Sequence, residues 1–277
     1  MNTPRGVYLL ILFLLLSIPA AAQNDSILYR IKKAVSASPD CPEYGRDTAA
    51  GCIEGYMTWP EITGSTNNSI AAIVLDKLRA EISLENHRHF LKEGFGKNPD
   101  DVTRTFIKEL AAERNEWGEG FLSAPMNYLR EISVYFNRAG VFSVGVFEGG
   151  YTGGAHPNFF TSVYNYSLAT GHIFTPADIF YKDEMDKVLQ IAEKEFRTIM
   201  EIPSSGDIND HGFWFSSGRF HLSQVFFPTE EGITFIYNPY EVAPYVMGEI
   251  RITLPYSAVR KHISSWGPLN SFAEKEQ

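Results

Sequence analysis

The run Tyr151-Thr-Gly-Gly-Ala-His-Pro157 sets two adjacent glycines and a histidine against an X-Pro bond, between segments that read as β-strand. Glycine admits positive φ and Pro157 disfavours helix at His156, so the stretch is expected to be a shaped loop at a sheet end. Gly153 and Gly154 can there expose backbone N–H groups to an acceptor, with His156 donating or accepting beside them. The alternative is purely architectural: the glycines make a tight turn and His156 closes it through a local bond. A second focus is Tyr240, Glu241 and Tyr245, held between Pro239 and Pro244. These prolines restrict the backbone, which can place tyrosine rings for sugar or protein contact while Glu241 supplies an acceptor. Equally, the tyrosines can close the core and Glu241 can cap a turn. If both loops occupy one sheet end, Tyr151, Gly153, Gly154, His156, Tyr240, Glu241 and Tyr245 form a ligand-binding set along a shared cleft.

Catalysis is the rival chemistry. Glu148, His156 and Glu241 supply the groups for acid–base work, and a glycoside hydrolase needs two carboxyl groups separated by about 5–9 Å. Carboxylates are abundant in this chain, so their presence discriminates little. No Gly-x-x-x-x-Gly-Lys-Ser/Thr run supports a nucleotide phosphate loop, and no Gly-x-Ser-x-Gly supports a serine nucleophile. No His-Glu-x-x-His motif occurs, and His87-Arg88-His89 points its histidines in different helical directions, as a solvated helix feature does. Neither a metal site nor a cofactor is expected.

The elements that must position these groups alternate in period. Cys52 to Trp59 suits a strand stopped by Pro60, after which Ile70, Ile73, Val74, Leu78 and Ile82 recur at helical spacing. The polar break Gly94 to Pro99 precedes a second helix from near Asp100, with Val102, Phe106 and Leu110 on one side. From Tyr128 to Phe147 the period becomes two: Ile132, Val134 and Phe136 share a parity, and Asn137-Arg-Ala-Gly140 turns the chain into a hairpin. Phe159 to Tyr166 is the next strand, and Asp183 to Met200 returns to helix. A polar loop from Pro203 to Gly212, with a mobile tip, precedes strands at Leu222 to Phe227, Gly232 to Tyr237 and Ile250 to Leu254. Ser257 to Ile263 is read as a short final helix. Hairpins alternating with single helices give an α+β fold of antiparallel sheets rather than a doubly wound parallel sheet.

Residues 1–22 read as a secretory signal, with Arg5 ahead of the apolar run Val7 to Ile18 and Ala20-Ala21-Ala22 before Gln23. The apolar core is short for a membrane span, and no later segment is apolar for long enough, so no stable transmembrane anchor is expected after cleavage. The mature protein is then periplasmic or secreted. The whole chain's formal net charge of -9, one unit more negative once Arg5 leaves with the signal segment, opposes attraction to a phosphate backbone, which argues against nucleic acid as a partner and leaves a basic protein compatible. In an oxidising compartment Cys41 and Cys52 are expected to pair, and closing so short a loop contributes roughly 3 kcal/mol in the chain-entropy model.

Taken in order, Tyr151-Thr-Gly-Gly-Ala-His156, Leu168-Ala-Thr-Gly171, Thr175-Pro-Ala-Asp-Ile-Phe180, Phe235-Ile-Tyr-Asn-Pro-Tyr-Glu-Val-Ala-Pro-Tyr245 and Gly248 resemble the extracytoplasmic domain-of-unknown-function 3298 family, across about residues 128–264. That family includes the C-terminal domain of a lysozyme-sensing anti-sigma-V factor. A weaker resemblance to the adjoining domain-of-unknown-function 4163 family rests on Trp59-Pro-Glu-Ile-Thr-Gly64 and the helix from Asn68. The pair also resembles the noncatalytic region of a peptidoglycan deacetylase. What this likeness implies is an exported pair of α+β domains that recognises a lysozyme-like protein or a peptidoglycan fragment. The regulator's cytoplasmic segment and internal membrane helix, and a separate deacetylase domain, are not seen in this sequence, so neither transcriptional control nor deacetylation is expected to transfer.

The expected organisation is a cleaved signal at 1–22, an N-terminal α+β subdomain at 23–127, a C-terminal α+β domain at 128–264 intimately associated with it, and a tail at 265–277. The expected function is non-catalytic recognition. A cell-wall glycan hydrolase and a structural envelope protein are the alternatives.

Overall fold

The computed structural model describes residues 26–39, 41, 50–65, 68–82, 99–118 and 124–273. The expected signal segment, the His87-Arg88-His89 run, most of the 94–99 break and the last four residues of the tail lie outside the described residues. The elements follow as β1 (Ile27–Ala37), β2 (Ile53–Ser65), α1 (Asn68–Ile82), α2 (Pro99–Glu116), β3 (Met126–Arg138), β4 (Val141–Tyr151), β5 (Asn158–Ser167), α3 (Met185–Ile199), β6 (Val225–Pro228), β7 (Gly232–Tyr237), β8 (Ile250–Pro255) and α4 (Tyr256–Val259). The described strands form a five-stranded sheet in the order β1-β2-β3-β4-β5 and a three-stranded sheet in the order β6-β7-β8. Every pairing is antiparallel except β2 with β3, where α1 and α2 supply the crossover that parallel neighbours require. This is the α+β architecture expected, with one parallel pair added. The first sheet runs across residue 128, since β3 starts at Met126 and pairs with β2 from Ile53, and the sheets divide the chain after Ser167.

Helical spacing decides what covers each sheet. Ile70, Val74 and Leu78 on α1 pack with Met57, Ile132, Val144 and Val146. Phe106 and Leu110 on α2 pack with Ile53, Met126 and Tyr128, and α2 lies so close over β2 that a Cβ at Gly55 would meet Thr103 at 3.3 Å. On the second sheet, Val188, Ala192 and Phe196 form the buried stripe of α3. The Phe196 ring sits among Phe213, Phe215, Phe220 and Tyr237, at centroid distances of 5.1 to 5.6 Å. Burying each such ring or aliphatic chain contributes on the order of 1.5–3 kcal/mol, so both helix layers are held by their apolar faces rather than by helix propensity.

A bulge between Val134 and Phe136 decides how the two sheets meet. It reverses the parity expected for β3: Ile132 stays under α1, whereas Phe136 turns to the opposite face and joins the core of the second sheet. Gly145 on β4 leaves the space that the Tyr135 ring occupies, and that ring packs on Phe227 of β6 at 4.7 Å. Polar groups complete the join. Asn165 on β5 donates to the Phe226 carbonyl at 2.8 Å, and the Asn238 side chain accepts from the Thr161 N–H at 2.7 Å while donating to the Thr161 carbonyl at 2.9 Å.

Several boundaries differ from the sequence reading. β1 was not anticipated. β2 continues through Pro60 to Ser65, because its ladder with β3 ends at Thr58 and from Trp59 onward it is bonded on one edge only, where proline is tolerated. β6 starts at Val225 rather than Leu222, and the last helix is one turn of α4 followed by a 3-10 turn at Arg260–His262. The 203–212 loop is pinned: Arg197 donates to the carbonyls of Pro203 and Gly206 at 2.8 and 2.9 Å, and Ile208 is buried. Cys41 and Cys52 form the expected disulfide, closing the β1–β2 connection with their Cα atoms 4.7 Å apart.

Replacing Asn238 with alanine strands both buried backbone groups of Thr161, each worth about 1–3 kcal/mol when unsatisfied. Equilibrium urea unfolding of Asn238→Ala is therefore expected to show a lowered midpoint, about 2–4 kcal/mol of lost stability and an unchanged slope.

Candidate functional site

The glycine-rich segment closes the β4–β5 hairpin, where the backbone is crowded from one side. A Cβ at Gly150 would come within 2.2 Å of the Asn127 carbonyl oxygen, and the Asn127 side chain accepts from the Tyr151 N–H at 3.0 Å. The two glycines of the loop then differ. Gly153 has a φ of 91° and lies against Trp117 and Met126, where an added Cβ would stand 3.1 and 3.2 Å from those side chains. Gly154 lacks a positive φ, and a Cβ added there would meet only the His156 carbonyl oxygen, at an ordinary contact distance of 3.9 Å. The turn-forming role belongs to Gly153, which leaves Gly154 sterically free.

The second loop is built on a turn whose chemistry is unusual. Glu241 N–H donates to the Asn238 carbonyl at 3.0 Å across Pro239 and Tyr240, and Tyr240 has a φ of 66°. Proline in the second position and positive φ in the third give the form of a type II turn, a place that favours glycine. Tyrosine occupies it here, with 58% of its surface exposed. The Glu241 carboxylate accepts from the Asn238 N–H at 2.9 Å, and the Glu241 carbonyl accepts from the Trp214 indole at 3.1 Å. Of its two expected roles, Glu241 performs the turn-capping one. Tyr245 opens a 3-10 turn that ends at Met247.

These two loops meet. His156 stacks on Tyr245 with ring centroids 3.9 Å apart and planes inclined by 23°, and Tyr240 lies 5.6 Å from Tyr245. The Tyr245 hydroxyl donates to the Pro157 carbonyl. His156 Nδ1 stands 2.8 Å from that same carbonyl, which only accepts, so Nδ1 carries the proton and Nε2 is left to accept from the Tyr240 hydroxyl at 3.5 Å. Phe159 supports the group from beneath, 5.8 Å from Tyr245 and 6.1 Å from Phe147. Around this aromatic rim Val246, 88% exposed, Met247 and Trp214 add uncovered apolar surface.

Glu148 is elsewhere. It faces Arg130 across the β3–β4 ladder and forms an ion pair with it, on the helix-covered face of the sheet. Arg130 is fully buried. The pair borders a cavity of about 230 Å³ together with Tyr128, Val146, Phe160 and Ser162. Burial pushes the Tyr128 hydroxyl up to about 12, so it stays a protonated donor at neutral pH. Glu241 borders a different, shallower hollow with Tyr240, Phe160 and His221. His156, Tyr240 and Tyr245 are thus brought together, Tyr151 and the glycines precede His156 in the same hairpin end, and the two carboxylates line different hollows that share Phe160.

Arg130, Asn238 and the Val246–Met247 surface were missed by sequence reasoning. Arg130 had a legible signal, since it takes an apolar-parity position between Tyr128 and Ile132. Among the described residues, the group close enough to hold a metal ion is Cys41, Cys52 and Glu54, and the disulfide consumes both sulfurs, so the donors do not fit a metal. No described helix is long and apolar enough to cross a membrane.

Comparison with known proteins follows the same division of the chain. Residues 174–257 match the family model described as a protein of unknown function, DUF3298, and residues 47–159 match the model described as deacetylase PdaC. A crystal structure of a DUF3298 family member from Bacteroides fragilis is similar, with a TM-score of 0.66 and 18% identity over 91% of this chain and 100% of that one. A DUF3298 family protein from Pseudomonas aeruginosa PAO1 gives a TM-score of 0.58 and 11% identity over 90% and 98%. No curated protein matches the chain significantly. The likeness to the DUF3298 model is thus confined to residues 174–257, and at such identities the likeness to the two structures concerns the fold alone.

The unequal glycines generate a paired expectation. In thermal or urea unfolding, Gly153→Ala should cost about 1–3 kcal/mol through left-handed strain and crowding, whereas Gly154→Ala should stay within about 0.5 kcal/mol of the parent.

Proposed function

We propose that this chain is an exported, non-catalytic recognition protein that takes its ligand on the aromatic rim formed by His156, Tyr240 and Tyr245. The observation that carries this is Tyr240. Its backbone holds a left-handed conformation that costs a non-glycine residue about 1–2 kcal/mol, while its ring is left in solvent above the His156–Tyr245 stack. Strain retained at an exposed aromatic side chain is the signature of a residue kept for contact rather than for packing. A lysozyme-like protein is the first ligand. Exposed tyrosine and tryptophan beside Val246 and Met247 supply the kind of surface that becomes a protein-interface hot spot, and a net charge of -9 favours encounter with a basic partner. The resemblance to the extracytoplasmic domain of a lysozyme-sensing regulator points the same way, and the Cys41–Cys52 disulfide suits an oxidising compartment.

A peptidoglycan fragment is the second ligand, favoured by the tyrosine rings, which serve a sugar face as well as a protein. The hydrolase alternative draws less support: Glu148 is paired with Arg130, Glu241 is occupied in capping its turn, and they border different hollows.

Tyr240→Gly separates contact from folding. Relief of the left-handed backbone, about 1–2 kcal/mol, offsets the added freedom of the unfolded chain, about 0.4–1 kcal/mol, so stability should stay within about 1 kcal/mol of the parent. Calorimetric titration with purified lysozymes and soluble peptidoglycan fragments should show saturable binding by the parent chain without turnover, weakened about tenfold or more in the variant. Equal binding by both chains would remove Tyr240 from the interface, and turnover of a fragment would restore the hydrolase.

A further inference from the structure

The two edges of the five-stranded sheet are finished differently. On β5 the side chain of Asn238 satisfies both backbone groups of Thr161. On β1 the side chain of Asn137 does the same for Ile27, accepting from its N–H at 2.9 Å and donating to its carbonyl at 2.7 Å. The rest of β1 has no such cover. The Ser38 N–H donates to the Ile53 carbonyl at 2.8 Å, and Pro60, which has no N–H to give, stands opposite Ile31. Both facts fix the alternation of the ladder. Lys32, Ala34 and Ser36 bond to β2, as Ser38 does, and Ile31, Lys33 and Val35 turn their N–H and carbonyl groups outward. Among the described residues nothing bonds to those outward groups. The geometry points to β1 as a docking edge for an extended acidic segment of a partner protein, which joins the sheet as a further strand.

The open backbone specifies the shape of the occupant, because a row of unpaired strand groups is met in register only by another extended chain. Side chains specify its chemistry. Ala34 packs with Met57 under α1, and Ser36 Oγ lies 2.7 Å from Thr103 Oγ1 on α2, so by alternation Ile31, Lys33 and Val35 stand on the face opposite the helices. Ile31 and Val35 are 54% and 36% exposed, and Lys33 between them forms no ion pair with a described residue. On the helix side Arg30 and Lys32 share one carboxylate, Glu61. β1 thus carries three cations and no acid of its own, in a chain whose net charge is -9. A strand that sets an acid opposite Lys33 and apolar side chains opposite Ile31 and Val35 answers all of these features. A second copy of this chain fits poorly: pairing about the middle of β1 would set Lys32 or Lys33 against its own counterpart, where like charges repel. A basic partner of the kind proposed for the rim is repelled from this edge for the same reason.

Fluorescence anisotropy of labelled peptides titrated with the full chain, together with amide hydrogen exchange read by NMR, tests this. The probes are a peptide with the core Val-Thr-Glu-Thr-Val, the same peptide with lysine in place of glutamate, and the acidic peptide with alternate amides N-methylated. The acidic peptide should bind saturably, the lysine peptide about fivefold more weakly, and the N-methylated one not at all. Bound acidic peptide should slow exchange of the Ile31, Lys33 and Val35 amides and leave Lys32, Ala34 and Ser36, already bonded to β2, unchanged. Lys33→Glu, at an exposed position, should unfold at the parent temperature and reverse the order of the first two peptides. Tyr240→Gly should leave peptide binding unchanged, so failure of the rim as a recognition site does not bear on this edge. Absence of saturable binding, an order of peptides that Lys33→Glu does not reverse, equal binding of the N-methylated peptide, protection away from β1, or dimerisation of the chain through β1 would each overturn the assignment.

Discussion

The side-chain amide of Asn238 takes the place of a missing strand. β5 is the last strand of the first sheet, and Thr161 turns both its N–H and its carbonyl away from β4, toward an edge that would otherwise be open. Asn238 fills both demands at once, at 2.7 and 2.9 Å, and the same Thr161 hydroxyl donates to Glu249 at 2.6 Å just before β8. Because Asn238 is also the first residue of the Tyr240 turn, the bond that joins the two sheets fixes where the exposed tyrosine stands. An edge strand is thereby protected from pairing with another chain, and a loop far away in sequence is delivered to the glycine-rich hairpin end.

The aromatic rim inherits its order from that anchor. His156 and Tyr245 touch each other and both address the Pro157 carbonyl, so the loops are preorganised against one another before any ligand arrives. Preorganised rings lose little freedom on binding, which is how a small exposed patch gains affinity. On the opposite face of the same sheet, the Arg130–Glu148 ion pair shows the complementary strategy: charge held in a covered place.

Much of the fold was legible because local rules and tertiary packing agreed. Ala139 and Gly140 both take positive φ, 53° and 75°, which is the two-residue hairpin turn that Asn137-Arg-Ala-Gly140 advertises. β7 was read to the residue, since a fully buried strand is a continuous apolar run. β1 escaped because Ile27–Ala37 mixes Arg30, Lys32 and Lys33 with Leu28, Ile31 and Val35 and is exposed along most of its length, so no parity stands out. Phe136 was placed on the wrong face because a bulge leaves no mark in hydrophobic alternation. Within the candidate site, the glycine loop and the tyrosines could be named from residue types. Their convergence could not, since it rests on Asn238 reaching Thr161 and Tyr245 reaching Pro157 across most of the second half of the chain. Glu241 and Glu148 illustrate the same limit: a carboxylate's sequence neighbours do not reveal that a turn N–H or a buried guanidinium already holds it.

Recognition at this sheet end is tested most directly by amide chemical-shift mapping of the isotope-labelled chain during addition of a purified lysozyme or a soluble peptidoglycan fragment. Perturbations centred on 151–157 and 238–247, with Thr161 following as the anchor between them, are the expected result. Shifts confined to the exposed β1 edge, or none at saturating ligand, would contradict it.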